Sequence, residues 1–447
     1  MRKIEDIIDD GCRALKAGDM ETAGRTFEFL LGRLPHNPYI LAMLGSVYVG
    51  VGRYAMAIPL LERSLQFDKT QAWAWSNLGV SFRREGHEDR GVDAYKRSLD
   101  LDPENSETLS NMSGAFINVG EPYKALEYCE KSLAIDSQNH VAKHHKGIAL
   151  LELGRFEEGF KWYEGRFEIN EWHPRPYKAP LWRGEKVGTL LIHGEQGLGD
   201  EVLFLGWLEE AKKRADRVVI ECNERLVPVF ARSFEVPCVA TVEEVQALGI
   251  EFDAVCPMGS LPIACGVENR RTDAYLKPDP EKVMVYREQL QKLGPGPHVG
   301  LSWKGGTIGT HNYIRCAPPD LWIGLPKIAT CLSIQYGPEK DLAPMIGVEH
   351  WDVDNIDNLC ALIAALDLVV TVNNTCVHLS GALGVPCWTM TPSKPAWRYQ
   401  LSGESIPWYR SVRQFRQVGD DWPSVFKQVE GELADYARVS RDSKEAA

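Results

Sequence analysis

The stretch from His193 to Val202, with the sequence HGEQGLGDEV, contains the residue types of an anion-binding turn. The apolar run TLLIH precedes it, and the run DEVLFLGWLEEAKKR that follows is typical of an amphipathic helix. Gly197 and Gly199 allow a tight turn, and the N–H groups at the start of a helix favour an anion. Because open α/β sheets bind ligands at the carboxyl ends of their strands, we expect a ligand site at this turn.

The same turn admits a dinucleotide-binding interpretation. The fingerprint G-x-G-x-x-G would place its third glycine at the position of Val202, so the match is incomplete. Glu221, after the apolar run RVVI, stands where such folds place the acid that binds a ribose. A nicotinamide-dependent enzyme is therefore an alternative, and it predicts tight NAD(P) binding.

A second group of polar residues follows two apolar runs of the C-terminal half. Lys304 and Arg315 come after HVGLSW, at the predicted carboxyl end of that strand. A cation there stabilises the charge that a leaving diphosphate gains where no metal ion does so. Gln335 and Gly337 come at the end of CLSIQY, where such folds often hold a nucleotide base or ribose. A solvated loop with charges for solubility is the alternative interpretation of Lys304 and Arg315.

The segment TVNNTCVHLSGALGVPCWTM predicts a strand, a polar turn and a helix. The turn contains Asn373, Asn374 and Thr375. Backbone N–H groups from Asn374 to Cys376 are candidate donors to a nucleotide diphosphate without a metal ion. His378 lies one turn into the helix, where it either faces the ligand or packs against the sheet.

Short apolar runs alternate with helical segments from residue 188 onward, which predicts parallel α/β units. Two such halves, 188–295 and 296–435, predict two facing Rossmann-like domains with a cleft between them. The preceding segment, 169–187, is rich in proline and aromatic residues and predicts an extended connector. Its Trp172, Tyr177 and Trp182 are expected to pack on a neighbouring domain.

The first third of the chain contains an internal repeat of 34 residues. One column of small residues keeps this step through Gly11, Gly45, Gly79, Ser113 and Gly147, and a column of bulkier ones through Phe27, Leu61, Tyr95, Cys129 and Tyr163. Small residues let two helices approach closely, and the larger partner fills the space between them. The pattern predicts five helical hairpins over roughly 4–168 and resembles the tetratricopeptide repeat.

The first helices of such repeats form a concave face. Asn77 and Asn111 share a column and resemble the asparagine ladder that grips peptide backbone in the O-GlcNAc transferases, since an amide is both donor and acceptor. Solvated or capping asparagines are the alternative. His144 and His145 are adjacent and do not share a helix face, so we interpret them as surface or groove histidines and predict no metal site.

The motifs of the second half resemble those of the ADP-heptose:lipopolysaccharide heptosyltransferases, the glycosyltransferase family 9 with the GT-B fold. In that family a Gly-Asp pair opens the first helix, and Gly199-Asp200 matches it. The resemblance implies that Asp200 is the general base that deprotonates the acceptor hydroxyl; capping of the helix by its carboxylate is the alternative. The segment around Asn373 also matches, with one departure: the usual acid of that turn is an amide here, which loses the charge.

Composition narrows the function classes. The 447 residues carry a formal net charge of −12, which argues against nucleic acid as the main partner. Eleven cysteines without a CxxC pair indicate a reduced, cytoplasmic protein. The N-terminus lacks the pattern of a signal peptide, and no apolar run is long enough to predict a membrane span.

These observations predict an α + α/β chain. Its predicted parts are a tetratricopeptide-repeat solenoid at 1–168, the connector at 169–187, an acceptor-side domain at 188–295, a nucleotide-sugar-side domain at 296–435 and a disordered tail at 436–447. The predicted activity is metal-independent transfer of a sugar from a nucleotide sugar to a protein acceptor recruited by the repeats, with no resident cofactor and with self-association left open. The alternative is a non-catalytic repeat adaptor with a degenerate ligand-binding module, which the amide at Asn373 motivates.

Overall fold

The computed structural model describes residues 3–169, 175–306, 312–351, 353 and 355–445. The chain divides into two compact units. We call Met1–Leu150 with Trp162–Glu171 the repeat unit, and Leu151–Lys161 with Trp172–Ala447 the α/β unit. None of the described helices is long and apolar enough to cross a membrane.

Helical hairpins follow one another through the repeat unit, as the periodicity predicts. They pair α1 (Ile4–Lys16) with α2 (Met20–Arg33), α3 (Pro38–Gly50) with α4 (Tyr54–Phe67), α5 (Ala72–Arg84) with α6 (Glu88–Leu101), α7 (Ser106–Asn118) with α8 (Pro122–Ile135), and α9 (His140–Glu152) with α10 (Phe156–Tyr163). A 3₁₀ turn at Glu164–Glu168 follows the last hairpin.

The two repeating columns meet inside each hairpin, which confirms their predicted roles. A Cβ added to Gly45 would lie 2.7 Å from Leu61 Cγ, and one added to Gly79 would lie 2.6 Å from Tyr95 Cδ1. The glycines therefore leave the space that the bulky residue of the second helix fills. In the fourth hairpin the glycine is replaced by Ser113, and its partner in the bulky column is the smaller Cys129.

A further glycine column ends the first helix of every hairpin. The φ angles of these residues lie between 73° and 82°, a left-handed conformation that favours glycine, at Gly18, Gly52, Gly86, Gly120 and Gly154. The column keeps the 34-residue step of the other two. This glycine column is therefore a further sequence signal of the hairpin turns.

Part of the fifth hairpin, Leu151–Lys161, belongs to the α/β unit, and the chain returns to the repeat unit at Trp162–Glu171. Phe160 of α10 is 1% exposed and makes edge contacts with aromatic rings of that unit, with centroid distances of 5.8–6.5 Å to Phe204, Trp207, Trp397 and Trp408. The predicted boundary after residue 168 therefore differs from the structural division, since this aromatic packing brings part of the periodic sequence into the α/β unit.

The first sheet of the α/β unit has four parallel strands in the order β3-β2-β1-β4. They are β1 (Val187–His193), β2 (Ala215–Glu221), β3 (Cys238–Val239) and β4 (Ala254–Pro257). The apolar runs TLLIH and RVVI correspond to β1 and β2. The predicted helix after β1 divides into α11 (Leu198–Phe204), a 3₁₀ turn (Leu205–Trp207) and α12 (Leu208–Lys212). The remaining helices here are α13 (Val227–Phe234), α14 (Val242–Ala247), α15 (Leu261–Cys265) and α16 (Pro280–Leu293).

The second sheet has seven strands in the order β10-β11-β9-β8-β5-β6-β7, and only the β10–β11 pair is antiparallel. Its strands are β5 (His298–Ser302), β6 (Thr330–Ser333), β7 (Glu349–His350), β8 (Leu368–Val372), β9 (Cys387–Thr391), β10 (Ser405–Ile406) and β11 (Tyr409–Arg416). Its helices are α17 (Asn312–Arg315), α18 (Ala343–Ile346), α19 (Ile356–Ala365), α20 (Thr375–Leu383) and α21 (Trp422–Glu445). The predicted α/β class is therefore confirmed, although both sheets belong to one compact unit.

Two segments outside the predicted strands are ordered. Trp182 of the connector is 1% exposed, and its backbone N–H donates to the Val255 carbonyl at 2.7 Å. The connector therefore packs on the first sheet, as predicted. Trp172 lies outside the described residues. At the other end, α21 continues to Glu445, so the predicted disorder is wrong for 436–445. Val429 and Leu433 anchor this helix in the core of the second sheet.

Candidate functional site

The carboxyl ends of β1 and β8 face each other within the α/β unit. The glycine turn after β1 leads into α11, and the polar turn after β8 leads into α20. A Cβ added to Gly199 would lie 2.7 Å from His378 Cδ2, so the starts of α11 and α20 are in close contact. Gly197 is the N-cap residue of α11. Both predicted turns therefore border one region, where ligands of open α/β sheets bind.

Asp200 forms an ion pair with Arg398 across this region. Both side chains are largely buried, with 19% and 17% of their surface exposed. Arg398 also donates to Gln196 Oε1 at 3.2 Å, and its guanidinium lies 4.6 Å from the centre of the Trp397 ring. The candidate base therefore contacts a cation that sequence reasoning missed, because Arg398 lies in the aromatic stretch PAWRYQ, which has no clear period.

Arg315 belongs to the same region. Burial lowers the pKa of its guanidinium, and Tyr399, Arg398 and Asp200 lie within electrostatic range of it. Tyr336, at the end of β6, donates a long hydrogen bond of 3.5 Å to Thr375 Oγ1 at the start of α20. The structure thus brings Asp200, Arg315 and Thr375 close to one another, as the positions of their strands predict.

Lys304 has a different setting from the predicted phosphate contact. Its ammonium group pairs with Glu339, and this hydrogen bond raises the pKa of Lys304. Glu339 follows Gly337 by two residues, and Gly337 has a φ of 78° that turns the chain into the next 3₁₀ helix. The charge of Lys304 is therefore balanced locally by an acid from the loop after β6.

Gln335 is not a ligand contact in this arrangement, which corrects the prediction. Its Oε1 accepts from the N–H groups of Trp303 and Lys304 at 2.9 and 3.0 Å. Its Nε2 donates to the carbonyls of Lys304 and Tyr336 at 3.1 and 2.9 Å. The buried amide therefore ties the loops after β5 and β6 together, and its hydrogen-bonding capacity is used within the protein.

The Asn374 side chain also forms its hydrogen bonds within the protein. Its Oδ1 accepts from the Cys376 N–H at 2.9 Å, and its Nδ2 donates to Ser302 Oγ at 2.8 Å. The Cys376 amide that we predicted to bind a phosphate is thus capped by a neighbouring side chain. The Thr375 N–H, in contrast, donates no hydrogen bond to any residue in the described ranges.

Asn373 points toward the adjacent strand rather than toward Asp200, which corrects its assignment to the ligand. Its Nδ2 donates to the hydroxyls of Thr389 and Thr391 of β9 at 2.9 and 3.1 Å. Its Oδ1 is buried without a hydrogen-bond partner among the described residues. An amide donates to the two threonines where an acid would accept from them, so the substitution changes a buried network between β8 and β9.

His378 packs beneath the glycine turn, which decides between the two predicted roles. It is 4% exposed, its Nδ1 is hydrogen-bonded with the Tyr409 hydroxyl at 3.2 Å, and burial lowers its pKa to about 3. A neutral buried imidazole is a packing partner here and not a phosphate ligand. Because Gly199 has no side chain, the His378 ring can approach the turn closely.

A pair of buried acids next to the turn was missed as such. Burial raises the pKa of Glu201 to about 7, and its Oε2 accepts from the Asn223 N–H at 2.9 Å. Glu221 accepts from the Tyr177 hydroxyl at 2.6 Å and pairs with Arg175 at 3.1 Å. The connector therefore occupies the acid that a dinucleotide would need for its ribose, and the dinucleotide interpretation loses its support.

The predicted asparagine pair lies on the first helices of the repeat unit, with both side chains partly exposed. Asn77 Nδ2 donates to Ser46 Oγ at 2.7 Å, while the backbone carbonyl of Asn111 accepts from Arg83 at 3.0 Å. Asn77 and Asn111 therefore stay candidates for a peptide groove.

The two adjacent histidines are partly buried in the repeat unit, and His145 lies in the column of Asn77 and Asn111, so a groove position stays a prediction. His145 Nδ1 lies 2.9 Å from Ser113 Oγ, and burial lowers its pKa to about 3. The His144 ring lies 5.3 Å from the Tyr163 ring, and burial lowers its pKa to about 4. The described ranges contain no cluster of three or more His, Cys, Asp or Glu arranged to hold a metal ion.

Comparison with known proteins supports the repeat prediction for part of the first unit. Residues 40–71 match the family described as tetratricopeptide repeat. The chain is 33% identical over 331 residues to Protein FlbA of Caulobacter vibrioides, an alignment that covers 65% of this chain and 54% of FlbA. The chain therefore spans about half the length of this curated relative.

Similar solved structures cover a little over a third of the chain. A crystal structure of MamA has 26% identity and a TM-score of 0.32, and covers 38% of this chain and 92% of MamA. TTC0263, a tetratricopeptide-repeat protein of Thermus thermophilus, has 16% identity and a TM-score of 0.33, and covers 38% of this chain and 92% of its own. The family match over residues 40–71 and the helical hairpins support a tetratricopeptide-repeat solenoid for the repeat unit.

Proposed function

We propose that the α/β unit transfers a sugar from a nucleotide-sugar donor to a hydroxyl group of a protein that the repeats recruit. The observation that carries the proposal is the Asp200–Arg398 ion pair, which places a carboxylate from the first α/β half against a cation from the second. The two groups needed for such a transfer, a base and a diphosphate-binding cation, are thus adjacent at the carboxyl ends of both sheets.

The proposed chemistry uses these two groups in turn. The donor diphosphate binds Arg398 and the Thr375 N–H, with Arg315 nearby. Because the phosphate competes for the guanidinium, it releases an oxygen of Asp200 to accept the proton of the acceptor hydroxyl. The acceptor oxygen then bonds to the anomeric carbon as the bond from that carbon to the diphosphate breaks. The arginines offset the charge on the leaving diphosphate.

The repeat unit supports the choice of a protein acceptor. Tetratricopeptide repeats bind polypeptides along surfaces built from successive hairpins. Asn77 and Asn111 lie one repeat apart on α5 and α7, and each amide offers both a donor and an acceptor to a peptide backbone. The proposed acceptor is therefore a protein segment bound by the repeats.

The experiment is a binding and transfer assay of the full chain with a panel of nucleotide sugars. We expect one donor to raise the apparent melting temperature and to be consumed in the presence of acceptor protein. The Asp200→Asn variant should bind this donor and not transfer the sugar. Asp273→Asn, which alters an exposed carboxylate paired with Arg410, is the matched control and should be active. If no nucleotide sugar binds the wild-type chain, the proposal fails.

The second candidate is a non-catalytic adaptor, and a specific observation favours it. Lys304, Asn373 and Asn374, which match donor-binding positions, all satisfy partners within the protein. In this case a ligand binds without turnover, and Asp200→Asn leaves both binding and partner recruitment unchanged. Donor consumption by the wild type, absent in Asp200→Asn, excludes the adaptor.

A further inference from the structure

Two grooves of the repeat unit occupy the same register one repeat apart. The first has a volume of 670 Å³ and lies between α2 and α4 over α3. The second has a volume of 590 Å³ and lies between α4 and α6 over α5. Of the nine residues that line the first groove, eight have their equivalents 34 positions later in the second. Helix α4 therefore forms a wall of both.

This surface differs from the face that carries the asparagine pair. Trp75, Leu78 and Phe82 line the second groove, and their spacing places them on one face of α5. Asn77 is one residue from Leu78 and two from Trp75, and at about 100° per residue it lies on another face. A ligand in the two grooves therefore does not use the asparagines.

The first groove is apolar. Leu31, Leu44 and Leu60 contribute to its lining, and Met56 at its rim is 47% exposed. An exposed apolar groove of this size is typical of a binding site for apolar side chains. Methionine adapts its shape to different partners.

The second groove carries cations held over aromatic rings. The Arg90 guanidinium lies 3.9 Å from the centre of the Phe82 ring and pairs with Glu62 at 2.8 Å. Arg97 lies 5.1 Å from the centre of the Trp75 ring. Trp75 is itself held by a 3.0 Å hydrogen bond from its Nε1 to the Lys69 carbonyl.

Arg97 and Lys69 provide the charge that selects a partner. Both side chains are exposed, and neither forms an ion pair with a residue in the described ranges. The stack on Trp75 orients the Arg97 guanidinium before any ligand arrives, which reduces the entropy cost of binding a carboxylate. A carboxylate bound there makes a charge-assisted hydrogen bond.

We infer that the two grooves bind an acidic, amphipathic segment of a partner protein. The segment places apolar side chains in the first groove and a carboxylate on Arg97 and Lys69 at the second. This site is independent of the sugar transfer proposed above, and it specifies the chemistry of one polypeptide that the repeats recruit.

The test is a selection of random peptides displayed on phage against the full chain, followed by affinity measurements with synthetic versions of the selected peptides. We expect the selected sequences to combine Asp or Glu with Leu, Met or Phe. Arg97→Glu and Met56→Glu should each weaken their binding by about tenfold or more, because each removes one of the two anchors.

The matched control is Lys131→Glu. Lys131 stands in the Arg97 column one repeat later, but it already pairs with Glu127 at 2.6 Å, so the same change of charge removes no available cation. Its affinity should equal that of the wild type. Circular dichroism melting curves confirm that each variant is folded.

Any of four outcomes would overturn the inference. Three concern the peptides: selected sequences without an excess of acidic residues, wild-type affinity in Arg97→Glu, or an equal loss of affinity in Lys131→Glu. The fourth is self-association of the chain that is lost in Arg97→Glu, since the occupant would then be a second copy.

Discussion

Arg398 donates to both Asp200 and Gln196, so one guanidinium contacts two side chains of the glycine turn. This contact occupies the carboxylate of Asp200 before a ligand binds. A carboxylate held by a guanidinium is a poor acceptor for a substrate proton until a competing anion arrives. The proposed transfer therefore requires the donor to bind before the acceptor reacts.

Arg398→Gln tests this order. We expect the affinity for the donor to fall about tenfold, because one charge-assisted contact with the diphosphate is lost. Arg398→Lys should restore part of the affinity, since a cation is present without the planar fork. Isothermal titration with the donor and with its free nucleoside diphosphate measures both. Equal affinities for wild type and Arg398→Gln would contradict the prediction.

Glu201 gives a prediction on pH dependence. Burial raises the pKa of Glu201 from 4.5, the ordinary value, to about 7 in the folded protein. The stability that this shift contributes is complete below pH 4.5 and is lost as the pH rises through 7. Glu201→Gln keeps an acceptor for the Asn223 N–H and cannot ionise. Relative to the wild type, the variant should gain up to about 3 kcal/mol of unfolding free energy between pH 5 and pH 8. Urea unfolding at the two pH values measures the difference, and a constant difference would disprove it.

The residue types at the site were predictable, but their contacts were not. Arg315 and Thr375 follow neighbouring parallel strands of the second sheet, while Asp200 follows a strand of the first sheet and reaches them through the contact of α11 with α20. Arg398 and Tyr409 were missed because they follow strands and loops that have no strong periodicity. Whether an amide such as Gln335 binds a ligand or a neighbouring loop depends on distances of a few ångströms, which no pattern of residue types encodes.

At the scale of elements, the two glycines of the turn have different roles. Gly197 has an extended backbone, and the nearest atom to an added Cβ is Asp200 Oδ2 at 3.6 Å. Gly199 has the His378 ring at 2.7 Å from the same position. The contact between α11 and α20 therefore depends on the second glycine and not on the first.

Gly199→Ala should lower the unfolding free energy by about 1–3 kcal/mol through overpacking against His378. Gly197→Ala is the matched control and should change it by less than about 0.5 kcal/mol. Chemical denaturation measures both values. A double variant with His378→Ala should recover part of the loss caused by Gly199→Ala, and an additive result would show that the two positions do not interact.

The helices and strands themselves were predicted where their periodicity was strong. The hairpins of the repeat unit follow from the 34-residue columns, because each glycine faces the bulky residue of its own hairpin. The strands β10 and β11 and the end of α21 were not predicted, since the segment from 400 onward mixes aromatic and charged residues without a clear period. Their order comes from packing on the second sheet, as for Phe426 and Leu433.

Leu151–Lys161 of the fifth hairpin belongs to the α/β unit, although it is part of the repeating sequence. Phe160 is surrounded by rings of that unit, which include Phe204 beside the glycine turn and Trp397 beside Arg398. The stability of the unit that carries the candidate site therefore depends on a residue of the repeat sequence.

Phe160→Ala should destabilise the α/β unit by about 3–5 kcal/mol, because the truncation leaves a cavity among aromatic side chains. Phe29→Ala, at a position that is 48% exposed, is the control and should have a small effect. Chemical unfolding of the variant and the wild type measures the difference in unfolding free energy. For the same reason, a fragment that begins at Leu151 should be more stable than one that begins at Ile169. Equal stability of the two fragments would contradict the structural division.

The shared wall of the two grooves has a consequence for how such a chain evolves. Since α4 borders both grooves, an in-frame duplication of one repeat would create another groove of the same register. Gene duplication would then add binding sites, and avidity for a longer partner would increase without a new type of contact.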